Sequence, residues 1–113
     1  MKTRFEKNLR ITGDLMLYCH HRGGRDISSN IVESEGHIKY TVTAFPVYMD
    51  DEKLEELTVR LNAPRQMEYE NDYWELMGES KDFSELMLIG TLCDEADIAY
   101  KDNVLTITLL RYD

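Results

Sequence analysis

Cysteine, proline and long apolar runs are scarce in this sequence. It has two cysteines and two prolines among 113 residues. Cys19 and Cys93 lie in apolar helical contexts, which are typical of buried reduced thiols rather than of a disulfide. No apolar run approaches the roughly 20 residues of a membrane span, and residues 1–7 lack the apolar segment of a secretory signal. We therefore expect a cytoplasmic protein that does not bind membranes.

Positive charge is also scarce. Thirteen basic side chains stand against 22 acidic ones, for a net charge of −9, and residues 50–85 carry twelve of the acids but only four basic side chains. Such a surface repels nucleic-acid phosphates and anionic membranes, so direct binding to either is disfavoured. It favours solubility or a basic protein partner. Mimicry of nucleic acid by this acidic stretch is an alternative.

The motifs of common enzyme classes are missing. The sequence has no dinucleotide fingerprint, phosphate-binding loop, nucleophile elbow or zinc-protease motif. Cys19–His21 has side chains that zinc accepts, but neighbouring helical residues point about 100° apart and cannot converge on one ion. The acids of Asp94–Asp97 lack the spacing of a calcium loop. We therefore predict a protein that is not an enzyme and has no metal or cofactor.

Apolar residues at steps of three and four predict a first helix of about five turns, from a capping box at Thr3 to Gly23–Gly24. Its expected apolar face consists of Phe5, Leu9, Ile11, Thr12, Leu15, Met16, Tyr18 and Cys19. Asp50 or Asp51 is expected to cap a second helix. Residues 66–77 and 86–93 are predicted as further helices, and 86–93 as the most buried because it is apolar almost all round.

Alternating apolar and polar residues predict four strands, at Asp26–Glu33, 38–44, Asp97–Tyr100 and Val104–Leu110. Lys101–Asn103 is suited to a hairpin turn between the last two.

A repeat relates the two ends of the chain. Residues 14–27 and 85–98 share Leu-Met-Leu and a later Asp-Ile, five identities in fourteen positions, and both copies lead into two strands. Two such helix–hairpin units can close one core. We therefore predict an α+β fold of two layers, with a four-stranded, mostly antiparallel sheet and helices on one face, in the order αββ-αα-αββ. The expected single domain, 1–113, comprises units 1–47 and 81–113 and an acidic helical connection, 48–80.

The pattern does not determine the strand order. It also leaves open which face of the sheet carries Tyr40, Val42, Ile107 and Leu109. A sheet covered by helices on one side offers its other side as a homodimer surface.

An aromatic and acidic segment is the most distinctive candidate for a binding site. Its residues Tyr69, Glu70, Asp72, Tyr73 and Trp74 interleave aromatic rings with carboxylates. Tyr and Trp are favoured anchors of protein interfaces, and surrounding acids can form a selective rim. The alternative is an amphipathic helix whose rings lie in the core.

One part of the chain resembles a known family. Leu86–Gly90, Asp97–Tyr100 and Val104–Thr108 are similar to the helix–strand–strand core of the histidine-kinase-type ATPase fold, and residues 14–45 have the same outline. The family's Asn-rich box, its Asp-x-Gly-x-Gly motif and its glycine-rich lid have no counterpart here. The resemblance therefore implies a nucleotide-free relative rather than an active ATPase.

These features together predict a small, acidic, non-catalytic module that acts through contact with another protein, with a homodimer as a second expectation. A small-molecule-binding domain or degenerate ATPase relative is the main alternative.

Overall fold

The computed structural model describes residues 4–63, 89–90 and 92–112. The elements follow the order α1 (Arg4–His21), β1 (Asp26–Ser34), β2 (His37–Phe45), α2 (Asp51–Leu61), β3 (Glu95–Lys101) and β4 (Val104–Tyr112). The four strands form one antiparallel sheet in the order β1-β2-β4-β3. The predicted α+β class and antiparallel sheet are thus confirmed. The internal duplication stays a prediction.

Both hairpins close through two-residue turns. Glu35–Gly36 joins β1 to β2, and Gly36 has a φ of +85°. Asp102 and Asn103 join β3 to β4 with φ values of 53° and 64°. In this second turn both central residues have positive φ, a conformation that matches the twist of the flanking strands. Asn and Asp adopt positive φ more readily than other non-glycine residues.

The end of α1 confirms the predicted role of its glycine pair. Gly23 has a φ of +106°, and its N–H donates to the carbonyl of His20 at 3.0 Å. The Gly24 N–H donates to the carbonyl of Cys19 at 3.0 Å. These two bonds form a Schellman motif, which satisfies the last carbonyls of the helix.

The helices cover one face of the sheet. Alternate residues of the two central strands are fully or almost fully buried beneath them, namely Ile38, Tyr40, Val42, Ala44, Leu105, Ile107 and Leu109. They share one core with Ile11, Leu15 and Cys19 of α1 and with Leu57 and Leu61 of α2. The four side chains that the sequence left unassigned, Tyr40, Val42, Ile107 and Leu109, therefore all lie in the interior. The centre of the opposite face consists of threonines, partly exposed at positions 41, 43, 106 and 108.

The predicted inward face of α1 is partly wrong. Phe5 and Leu9 are 51% and 48% exposed, whereas Asn8 is 1% exposed. The line of contact with the sheet runs through Asn8, Ile11, Thr12, Leu15 and Cys19. The apolar stripe of the helix is wider than the strip of sheet beneath it, and Asn8 is held inside by a polar partner on β2.

Several other predictions can be compared with the described residues. Asp50 caps α2, accepting a hydrogen bond from the Lys53 N–H at 2.8 Å. Cys19 and Cys93 are buried thiols rather than a disulfide. Of the predicted helix 86–93, Ile89 and Leu92 are helical and fully buried. Residues 86–88 and 91, the predicted helix at 66–77 and the predicted cap at Thr3 lie outside the described residues. Within the described ranges, no helix has the length and apolarity needed to cross a membrane.

Candidate interaction surfaces

The predicted binding segment lies outside the described part of the chain, with all five of its residues, Tyr69, Glu70, Asp72, Tyr73 and Trp74. The candidate sites below therefore come from the two helices, the four strands and their connections.

The cysteine–histidine cluster at the end of α1 is divided between core and surface. Cys19 is fully buried, and burial raises the pKa of its thiol to about 11. A thiol with such a pKa is protonated at neutral pH and is a poor nucleophile and metal ligand. His20 and His21 are exposed. Among the described residues, no group of three or more His, Cys, Asp or Glu side chains could hold a metal ion.

The carboxylates at the start of β3 stabilise the end of the hairpin. Asp94 Oδ2 accepts a hydrogen bond from the Tyr112 N–H at 2.7 Å. Glu95 accepts one from the Tyr112 hydroxyl, and this bond raises the pKa of Tyr112. Both acids therefore bond to β4 rather than converging on an ion.

A buried polar network connects α1 to the sheet. The Tyr40 hydroxyl donates to Asn8 Oδ1 at 2.7 Å, and Asn8 Nδ2 donates to Glu33 Oε1 at 3.3 Å. Burial raises the pKa of Tyr40 to about 12, although Arg111 on β4 lowers it in part. This network satisfies buried polar groups.

A groove of about 400 Å³ runs beside α2. Among the described residues it is lined by Glu52, Glu55, Glu56, Val59 and Arg60. Arg60 pairs with Glu56 at 3.3 Å, which leaves an excess of carboxylates. Such a lining repels phosphate and does not favour a nucleotide.

The first candidate surface is an aromatic and basic region, here called the Tyr48 corner, formed by Arg22 and Tyr48. Tyr48 is 64% exposed. The Tyr48 ring rests on Gly23, so closely that a Cβ there would lie 2.8 Å from a ring carbon. The Arg22 guanidinium lies over the Tyr18 ring, 5.4 Å from its centroid, a distance typical of a cation–π contact.

The backbone of the Tyr48 corner is held on both sides. The Tyr48 N–H donates to the Arg22 carbonyl at 3.1 Å, and the Val47 N–H to the Asn103 carbonyl at 2.8 Å. Tyr100 binds the same loop twice, because its hydroxyl donates to the Val47 carbonyl at 2.7 Å and accepts from the Met49 N–H at 3.3 Å. The exposed Tyr48 ring is therefore presented by a well-anchored loop.

The second candidate surface is here called the β1–α1 surface. It consists of the outer edge of β1 and the flank of α1 that carries Phe5, Leu9 and Met16. In the described part of the chain, β1 pairs only with β2. The nine-residue strand contains no proline and no charge between Asp26 and Glu33. Edge strands with these properties readily pair with another chain.

The sequence identified neither surface. The Tyr48 corner depends on a loop approaching a helix terminus, and Gly23 was recognised only as a helix stop. The β1–α1 surface depends on the strand order, which the periodicity does not determine.

Comparison with known proteins gives no further assignment. No protein-family model matches the chain, and a search of curated proteins found no match.

Proposed function

We propose that this protein is a non-catalytic module that binds another protein through the Tyr48 corner. The observation that carries the proposal is a large aromatic ring that is mostly exposed and yet anchored by its surroundings. Burying such a ring in a partner contributes apolar area with little loss of conformational freedom, because the loop that carries it is already ordered.

The composition of the corner supports this use. Tyrosine and arginine are the residue types most enriched, with tryptophan, among the side chains that dominate binding energy. Arg22 is already oriented by the Tyr18 ring, so less side-chain entropy is lost when it meets a partner. Interfaces of this type need no catalytic group.

The charge around Tyr48 indicates the kind of partner. His20, His21, Arg22 and Arg25 fall within six residues of an otherwise acidic chain. His20, His21 and Arg25 are exposed. A partner with an apolar pocket for the ring and carboxylates around that pocket has the matching potential.

A photo-crosslinking experiment identifies and tests such a partner. A photoreactive phenylalanine analogue placed at position 48 should crosslink to it, whereas the same analogue at position 59 should not. Val59 is the matched control, since its exposure is also 64% but it lies on α2.

The dissociation constant (Kd) of the complex between this protein and the purified partner then tests the proposal. Tyr48→Ala should raise Kd about tenfold or more, the loss expected for an interface anchor. Val59→Ala should leave Kd within about twofold. Gly23→Ala, whose Cβ displaces the Tyr48 ring and whose backbone is strained at a φ of +106°, should weaken binding in a variant that circular dichroism shows to be folded. Unchanged affinity of Tyr48→Ala would disprove the role of the corner.

A further inference from the structure

Among the described residues, the flank of α1 that carries Phe5, Leu9 and Met16 lies on the same side as the outer edge of β1. Asn8 bonds Glu33 near the end of β1, and α1 ends just before β1 begins, so α1 runs antiparallel to β1. In a right-handed helix packed on the sheet in this direction through Ile11 and Leu15, Tyr18 points away from β1, towards the side of the sheet that α2 covers. α2 packs against β3, at the far side of the sheet from β1. Phe5, Leu9 and Met16 are displaced from Tyr18 by roughly half a turn of helix. They therefore face the β1 side.

The hydrogen-bonding groups at the edge belong to alternate residues of β1. The two-residue turn after Ser34 pairs it with His37, so the N–H and C=O of Ser34 and of every second residue before it point towards β2. The corresponding groups of Ile27, Ser29, Ile31 and Glu33 point away from the sheet. A further strand can therefore extend the sheet only by forming hydrogen bonds with the N–H and C=O groups of these four residues.

We propose that this edge pairs with β1 of a second copy of the chain, antiparallel and centred on Ser29, to form a continuous eight-stranded sheet. The outward-pointing residues then lie opposite one another. Ile27 pairs with Ile31 of the second copy, Ser29 with its own equivalent, and Ile31 with Ile27. Each pair exchanges two backbone bonds, about six in total.

The side chains support this register. On the helix-covered face, the apolar Ile27 and Ile31 meet across the interface, and both are only partly buried in a single chain. The same register brings Arg25 next to Glu33 of the second copy. Pairing centred one residue later would instead place Ile27 opposite Glu33, leaving a carboxylate against an apolar side chain.

The helices have a spacing that fits the same arrangement. α1 packs across both β1 and β2, so its axis lies over the boundary between them. Neighbouring strands are about 4.8 Å apart, and the axes of the two copies of α1 would be separated by two such spacings. The helices would therefore run side by side at roughly 10 Å, the upper end of the 8–10 Å range for packed helices. Their facing flanks are those of Phe5, Leu9 and Met16.

Local charge permits two identical acidic chains to meet here. Residues 4–34 contain five Lys or Arg and four Asp or Glu, so their formal charge is +1, against −9 for the whole chain. Residues 35–113 contain seven Lys or Arg and eighteen Asp or Glu and so carry a formal charge of −11, which disfavours contacts between two copies through that part of the chain. At the β1–α1 surface the repulsion is smallest, which favours a second copy as the occupant.

The mass of the full chain in solution and a cysteine scan test this proposal. The purified protein should sediment as a dimer at 100 µM and below. Under mild oxidation Ser29→Cys should form a disulfide dimer, because directly opposed strand residues have Cα atoms about 5.5 Å apart. Asn30→Cys, which points to the other face and is offset from its equivalent, should crosslink much less.

A matched pair of charge substitutions tests the helix flank. Leu9→Glu should weaken the dimer about tenfold or more, because the two-fold symmetry places a carboxylate in the apolar helix flank twice in each interface. Val59→Glu, the same kind of change at an exposed position of α2, should leave it intact. Circular dichroism should show both variants folded, and Tyr48→Ala should remain dimeric, which separates this proposal from the function proposed above.

Three results would overturn the inference: a monomer at 100 µM, crosslinking through position 30 in preference to 29, or a folded Leu9→Glu variant that dimerises as strongly as Val59→Glu.

Discussion

The hydrogen bond between Tyr40 and Asn8 gives the most direct test of how the interior is stabilised. Both residues are buried, at 0% and 1% exposure, and their oxygens are 2.7 Å apart. In Tyr40→Phe the Asn8 carbonyl oxygen loses its donor at a site that water does not reach. In Asn8→Leu the Tyr40 hydroxyl loses its acceptor. Each change should cost about 1–3 kcal/mol of unfolding free energy.

Combining the two changes should cost less than their sum. In the double variant Tyr40→Phe/Asn8→Leu, two apolar groups replace the hydrogen-bonded pair, and no buried polar atom of the pair is left without its partner. The coupling free energy from the double-mutant cycle should therefore be about 1 kcal/mol or more.

Urea unfolding followed by circular dichroism at pH 7 measures all four proteins. With a slope of about 1–2 kcal/mol per molar urea, each single variant should shift the midpoint down by about 0.5–3 M. The double variant should recover part of that shift. Strictly additive losses would show that the two side chains contribute independently, and the assigned network would be wrong.

Two further predictions concern pH and packing. Tyr40 and Cys19 have pKa values raised to about 12 and about 11 by burial. The unfolded chain thus loses these protons first, and stability should fall from about pH 9 towards pH 12, at most by about 1.4 kcal/mol per pH unit and group. Urea midpoints between pH 8 and 11 would show this, and Tyr40→Phe should flatten the fall. Gly90→Ala should cost about 1–3 kcal/mol in the same assay, because its Cβ would collide with the Arg60 carbonyl; unchanged stability would contradict that close contact.

The strands were predictable because their side chains alternate cleanly. Ile38 to Ala44 and Leu105 to Leu109 place every second side chain in the core, and a period of two has no helical interpretation. The order β1-β2-β4-β3 was not predictable, because the alternation of a strand is the same whichever strand lies beside it. Gly23 was recognised as a helix end, since its left-handed conformation has a local cause.

The face of α1 shows where periodicity fails. The interior position of Asn8 depends on the Tyr40 hydroxyl, 32 residues away in sequence, and no helical pattern carries that information. The same error hid the β1–α1 surface, since Phe5 and Leu9 were assigned to the apolar, inward face of the helix. The aromatic segment around Tyr73 and the resemblance to histidine-kinase-type ATPases both stay predictions.

The pairing of β2 with β4 has a consequence for how the chain folds. Each hairpin closes a turn of two residues, whereas the pairing of Ala44 with Leu105 closes a loop of about 60 residues. The larger loop costs roughly 3 kcal/mol more conformational entropy on a simple chain model. The two hairpins are therefore expected to form early, and their union to set the folding rate.

Because loop entropy grows only with the logarithm of length, doubling the connection between Ala44 and Leu105 would cost only about 0.6 kcal/mol more. The connection between β2 and β3 is thus the place where this fold can accept additional sequence at least cost.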